Sequence, residues 1–160
     1  MKNVADELIQ NMLKNGAYLI NAAQVKQLED GVLVWSKPKK EGEQPKRVIN
    51  KDWVGRDAKK ILAQIGINVG DDIRCIICET EFSQAFVQTE LMMPILPIVR
   101  VDTFDEAVEM AVKAEHGNRH SAHLHSKNVD HMTQYAKAIC TTIFVKNAPV
   151  SYTHLRAHET

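Results

Sequence analysis

At 160 residues, with 20 Lys and Arg matched by 20 Asp and Glu, the chain is long enough for one globular core and carries no formal net charge. A domain of this size buries about 70% of its unfolded surface, and the mixing of both charge signs removes any electrostatic case for nucleic acid or an anionic membrane as partner. No apolar run approaches the ~20 residues that span a bilayer, the amphipathic start lacks a secretory pattern, and three cysteines make no disulfide framework. A soluble cytoplasmic protein is expected.

In chain order, Val4, Leu8, Ile9, Met12 and Leu13 form a helical stripe that Asn15-Gly16 terminates. A second helix is predicted over 22–28 and a short strand over 32–35. Residues 36–47 hold Pro38, Gly42 and Pro45 among lysines and glutamates, the composition of a solvated loop. Its Lys37, Lys39, Lys40 and Lys46 have the charge to meet the phosphates of a ligand, but no glycine turn or helix N-terminus organises them. Ala58, Ile61, Leu62 and Ile65 share one face of a helix predicted over 57–65 and closed by Gly66. A strand follows over 72–79. Its Cys75 and Cys78 have CxxC spacing, yet residues three apart in a strand point to opposite faces, so both read as structural thiols rather than a metal or redox pair.

Residues 90–149 are the most structured stretch. An apolar, β-branched strand is predicted over 95–101, with its prolines near its start. Thr103-Phe104-Asp105-Glu106 has the form of a capping box. Phe104, Ala107, Val108, Ala111 and Val112 then recur at helical spacing, and Gly117 supplies a left-handed stop. A strand over 121–126, a helix capped by Asn128 and carrying Val129, Met132, Ala136 and Ile139, and a strand over 141–145 complete a βαβαβ unit within residues 95–146. Two successive crossovers imply an α/β fold, a parallel sheet with flanking helices. His116, His120, His123, His125 and His131 crowd this segment. His123 and His125 share a strand face, but no carboxylate stands at ligand spacing and there is no HExxH, so no metal site is assigned.

Specific residues then narrow the family. Glu90-Leu91-Met92-Met93-Pro94-Ile95-Leu96-Pro97, Glu115-His116-Gly117-Asn118-Arg119-His120-Ser121-Ala122, His125-Ser126-Lys127-Asn128-Val129 and Thr141-Thr142-Ile143-Phe144-Val145-Lys146-Asn147 resemble the CoA-acylating propionaldehyde and acetaldehyde dehydrogenases of the propanediol and ethanolamine utilisation microcompartments. The resemblance extends over about 4–149 and takes in Asp52-Trp53-Val54-Gly55. It implies that 1–149 is part of an aldehyde dehydrogenase catalytic domain, downstream of the nucleophilic cysteine and without the dinucleotide-binding domain. NAD would be the cofactor, coenzyme A the co-substrate and a short aldehyde the substrate. The complete protein would be a homo-oligomer, with a microcompartment shell as a further partner and the microcompartment lumen as a location.

The resemblance also assigns cofactor-binding residues. Glu90 matches the superfamily glutamate that grips the nicotinamide ribose, where one carboxylate can accept from two vicinal hydroxyls. Met92 stands where an aromatic would pack against the cofactor, and Pro94 matches the motif's proline. Without the family, Glu90 reads as a surface acid ahead of a strand. His116, His120 and His125 match the family's pattern with no metal implied, while His123 departs from the aliphatic residue usual there. No residue of this chain is assigned a catalytic role, and the fragment alone is expected to be inactive. Residues 150–160 have no apolar period and look like in-frame translation of a sequencing adapter, a non-native tail. A non-acylating dehydrogenase, a small α/β binding module, and a first helix docking to a shell or partner are the alternative readings.

Overall fold

The structure is a computed structural model that describes residues 1–38 and 44–148. Lys39, Lys40 and Gly42 of the lysine-rich loop, Pro149 and the tail 150–160 lie outside the described residues. The chain divides into two compact units, one of Lys2–Arg100 and the other beginning at Val101.

The first unit is built on a three-stranded, all-parallel sheet in the order β1 (Ala17–Ile20), β4 (Cys75–Glu79), β5 (Ile95–Ile98). β4 takes the centre because its Ile76, Ile77 and Cys78 are all buried, and a strand apolar on both faces needs cover on both. α1 (Lys2–Lys14) covers one face, packing Ile9, Met12 and Leu13 on Ala17, Cys75 and Ile77. Its buried residues are Ala5 and Ile9, whereas Val4 and Leu8 of the predicted stripe are exposed. Gly16, at φ +88°, turns the chain into β1, and its carbonyl accepts from the Arg74 amide.

The opposite face carries the main core. α2 (Ala22–Val32) contributes Val25, Leu28 and Val32, α3 (Ala58–Ala63) contributes Ala58, Ile61 and Leu62, and α4 (Ala85–Gln88) contributes Phe86. α2 opens with a reciprocal capping box. The Asn21 side chain accepts from the Gln24 amide at 3.0 Å, and the Gln24 side chain accepts from the Asn21 amide at 2.8 Å. That helix runs four residues past its predicted end, because Leu28 and Val32 continue one apolar stripe. Beyond it, β2 (Leu33–Trp35) and β3 (Arg47–Ile49) pair antiparallel as a two-stranded ribbon.

In the second unit, α5 (Phe104–Ala114) and α6 (Val129–Ile139) accompany β6 (Ser121–Leu124) and β7 (Ile143–Lys146), which pair in parallel. Phe104 stacks on His131 at 3.9 Å, and the Gln134 amide donates to Asp105 at 2.6 Å. Asn128 caps α6 as expected, accepting from the Asp130 and His131 amides. Thr103 accepts from the Glu106 amide, but the Glu106 carboxylate reaches the Asp102 amide one residue further out. α5 stops earlier than expected: His116 is already left-handed at φ +54°, ahead of Gly117 at φ +77°.

The α/β class and the βαβαβ order over 95–146 are present, with one refinement. Among the described residues, β5 is laddered to β4 rather than to β6, and β6 pairs with β7 in a separate sheet. A buried central strand leaves an open edge on each side, and β5 completes the one beside β4.

Candidate functional site

The predicted cofactor residues lie in the segment between α4 and β5. Thr89 ends α4 in extended backbone, Glu90 is exposed, and Leu91 drops into the core at 6% exposure. Met92 then swings out, 62% exposed and left-handed at φ +53°, before Met93 packs back against the core. The Pro94 carbonyl accepts from the Ile76 amide at 2.8 Å, which locks the segment onto the start of the β4 ladder.

Met92 and Pro94 line an open depression of about 700 Å3, together with Gly55, Arg56, Lys59 and Arg74. It lies at the amino-terminal ends of β4 and β5, whereas ligands of open parallel sheets commonly bind at the carboxyl ends. Glu90 is near in sequence but is not part of that lining. Its exposed carboxylate makes no hydrogen bond or ion pair among the described residues. The structure therefore brings two of the three residues into one concavity and leaves the third exposed two residues earlier in the chain.

The basic side of the depression is only partly neutralised. Lys59 pairs with Asp71 at 3.0 Å, and the Arg56 guanidinium donates to the Asp52 carbonyl at 3.1 Å. Arg74 is exposed. Sequence reasoning missed these basic residues and assigned no role to Gly55. The signal for the latter was present in Trp53-Val54-Gly55, where a glycine after a bulky pair marks a turn needing positive φ; Gly55 has φ +69°.

Neither strand cysteine is poised as a nucleophile. Burial raises the Cys75 thiol, and burial followed by the neighbouring Cys75 pushes Cys78 up to about 11. The two lie on opposite sheet faces, as their spacing predicts, in separate apolar clusters. Cys140 closes α6 as an exposed residue in left-handed backbone. Among the described residues no three His, Cys, Asp or Glu side chains converge as metal ligands.

Parallel strands flanked by helices place the chain in the α/β class. A model of the aldehyde dehydrogenase family matches residues 74–156, more than half of the sequence, and the chain belongs to that family. It is 47% identical over 147 residues to the acetaldehyde dehydrogenase (acetylating) EutE of Salmonella typhimurium, a match covering 92% of this chain and 30% of that protein. Among solved structures, it resembles a propionaldehyde dehydrogenase from the Clostridium phytofermentans fucose utilisation bacterial microcompartment, with TM-score 0.81 and 51% identity over 92% of this chain and 32% of that one. It also resembles an engineered glycolyl-CoA reductase with bound NADP+, with TM-score 0.84 and 45% identity over 99% of this chain and 34% of that one. The chain thus spans about 30% of the length of the curated relatives it matches.

Proposed function

We propose that this chain is a segment of an NAD-dependent, CoA-acylating aldehyde dehydrogenase, which oxidises a short aldehyde to its acyl-CoA through a cysteine thioester. The observation that carries the reading is the outward turn of Met92 between the core residues Leu91 and Met93, which puts Met92 and Pro94 in one depression with Glu90 exposed beside them in sequence. That donor set fits a dinucleotide ribose and ring: a carboxylate without a partner among the described residues, able to accept from hydroxyls, and a soft thioether for an apolar face. When bound, NAD supplies the hydride acceptor.

The residues of this chain position rather than react. Glu90 holds the ribose, while Met92 and Pro94 shape the surface beside it. As the family resemblance implies, the nucleophile comes from outside residues 1–160, and the strand thiols are packed in apolar clusters. The acetylating relative and the glycolyl-CoA reductase neighbour support CoA as acyl acceptor. The microcompartment origin of another neighbour supports a lumenal location and a shell partner for the complete enzyme, which we further propose to be a homo-oligomer.

The test is Glu90→Gln in the complete enzyme. The KM for NAD should rise by about tenfold, the scale of one charge-assisted hydrogen bond, with the KM for CoA little changed. An unchanged KM for NAD refutes the assignment.

A further inference from the structure

Met92 combines three properties that seldom meet: a long unbranched side chain, 62% exposure and a left-handed backbone at φ +53°. Non-glycine residues held there by their surroundings concentrate at ligand-binding positions. Leu91 and Met93 are both held by the core, and between them residue 92 faces outward in left-handed rather than extended backbone. At residue 92 itself the Gly55 N–H donates to the Met92 carbonyl at 3.1 Å.

That donor sits on a braced turn. The Asn50 amide donates to the Val32 carbonyl at 2.8 Å, and the Asn50 side chain accepts from the Asp52 amide at 3.2 Å. The Trp53 amide donates to the Asn50 carbonyl at 3.1 Å, the Arg56 amide donates to the Trp53 carbonyl at 3.2 Å, and Trp53 packs on the main core. Gly55 is itself left-handed at φ +69°, and a Cβ built on it would meet nothing within 4 Å. Only backbone conformation, not space, demands glycine at this position.

We propose that Gly55 and Met92 form a backbone latch that presents the Met92 side chain to the bound dinucleotide, making Gly55 a positioning residue for cofactor binding. The inference rests on the reading that residues 90–94 bind NAD. A branched residue at position 55 would pull the turn toward negative φ, withdraw the amide from the Met92 carbonyl and let residue 92 relax toward ordinary backbone.

The experiment compares Gly55→Val, Gly55→Asn, Met92→Gly and the Gly55→Val/Met92→Gly double variant with Glu90→Gln in the complete enzyme, reading kcat, the KM values for NAD and CoA, and Tm. Gly55→Val is expected to raise the KM for NAD about tenfold, the scale of a small misplacement of a binding group, while kcat and the KM for CoA move far less. Gly55→Asn should stay close to the parent, because asparagine tolerates left-handed backbone. Met92→Gly removes the presented side chain and should match Gly55→Val, with the double variant no worse than either single one. If Glu90→Gln raises the KM for NAD while both position-55 variants behave like the parent, the latch is refuted and the cofactor site stands. If Glu90→Gln has no effect, the cofactor reading fails and takes the latch with it. Equal losses in both position-55 variants together with a lowered Tm, or independent additive effects in the double variant, also overturn the proposal. Should Gly55→Val not fold, the Met92→Gly and Gly55→Asn results decide.

Discussion

Cys78 stands three positions after Cys75, so the two thiols end on opposite faces of β4, one under α1 and the other in the core made with α2 and α3. Burial, and then the proximity of Cys75, raises the Cys78 thiol from an ordinary 9.0 to about 11. The unfolded chain releases this proton as the pH passes 9.0 while the folded chain keeps it, so folding stability falls from there and levels off above about 11. The urea midpoint should decline across that window. Cys78→Ala should flatten the decline without abolishing it, because burial also raises Tyr135. A midpoint equally steep in Cys78→Ala would show that other groups dominate. Accessibility gives an independent check. Alkylation of the folded protein near pH 8 should modify exposed Cys140 first and reach Cys78 only on unfolding.

Among the elements, α3 shows how packing rather than length sustains a helix. Ala58–Ala63 is too short to persist alone, but Ala58, Ile61 and Leu62 are almost wholly buried. Leu62→Ala should cost about 2–5 kcal/mol in denaturant unfolding, whereas Val129→Ala, at a position 69% exposed, should stay within about 0.5 kcal/mol. The same contrast explains what the sequence disclosed. The helices with an apolar stripe and a capping residue were legible, as was β4 through its apolar run. β1, β3 and α4 were missed, because three or four residues carry no measurable period. Ala17-Tyr18-Leu19-Ile20 becomes a strand only because β4, nearly sixty positions later, pairs with it in parallel. Within the site, Glu90, Met92 and Pro94 were found through a family motif, and nothing local marks them as binding residues. Gly55 and the basic residues of the depression come from a distant turn, a helix start and a strand approach, and only the fold brings them together.

At the scale of the molecule, burial is unevenly shared. Both apolar clusters lie within Lys2–Arg100, while the second unit buries only Val101, Val108, Ala122 and Ile139 among its described apolar residues. Native-state hydrogen exchange should therefore be slowest at Ile76, Ile77 and Cys78 and distinctly faster through α5 and α6, since protection follows local burial. Equal protection in both units would contradict that distribution. No helix among the described residues is long and apolar enough to cross a membrane.

Arg100 ties the first unit together from its far end, donating to Asp6 of α1 at 2.5 Å and to Glu79 at the close of β4. Asp6 and Arg100 are 94 positions apart, and at roughly 5–20 residues per second a ribosome takes roughly 5–20 s to cover that distance. α1 thus waits on residues made long after it before this contact can seat it. Through that interval a nascent polypeptide displays Ala5 and Ile9 unsheltered, which makes α1 a natural holding point for a chaperone during synthesis.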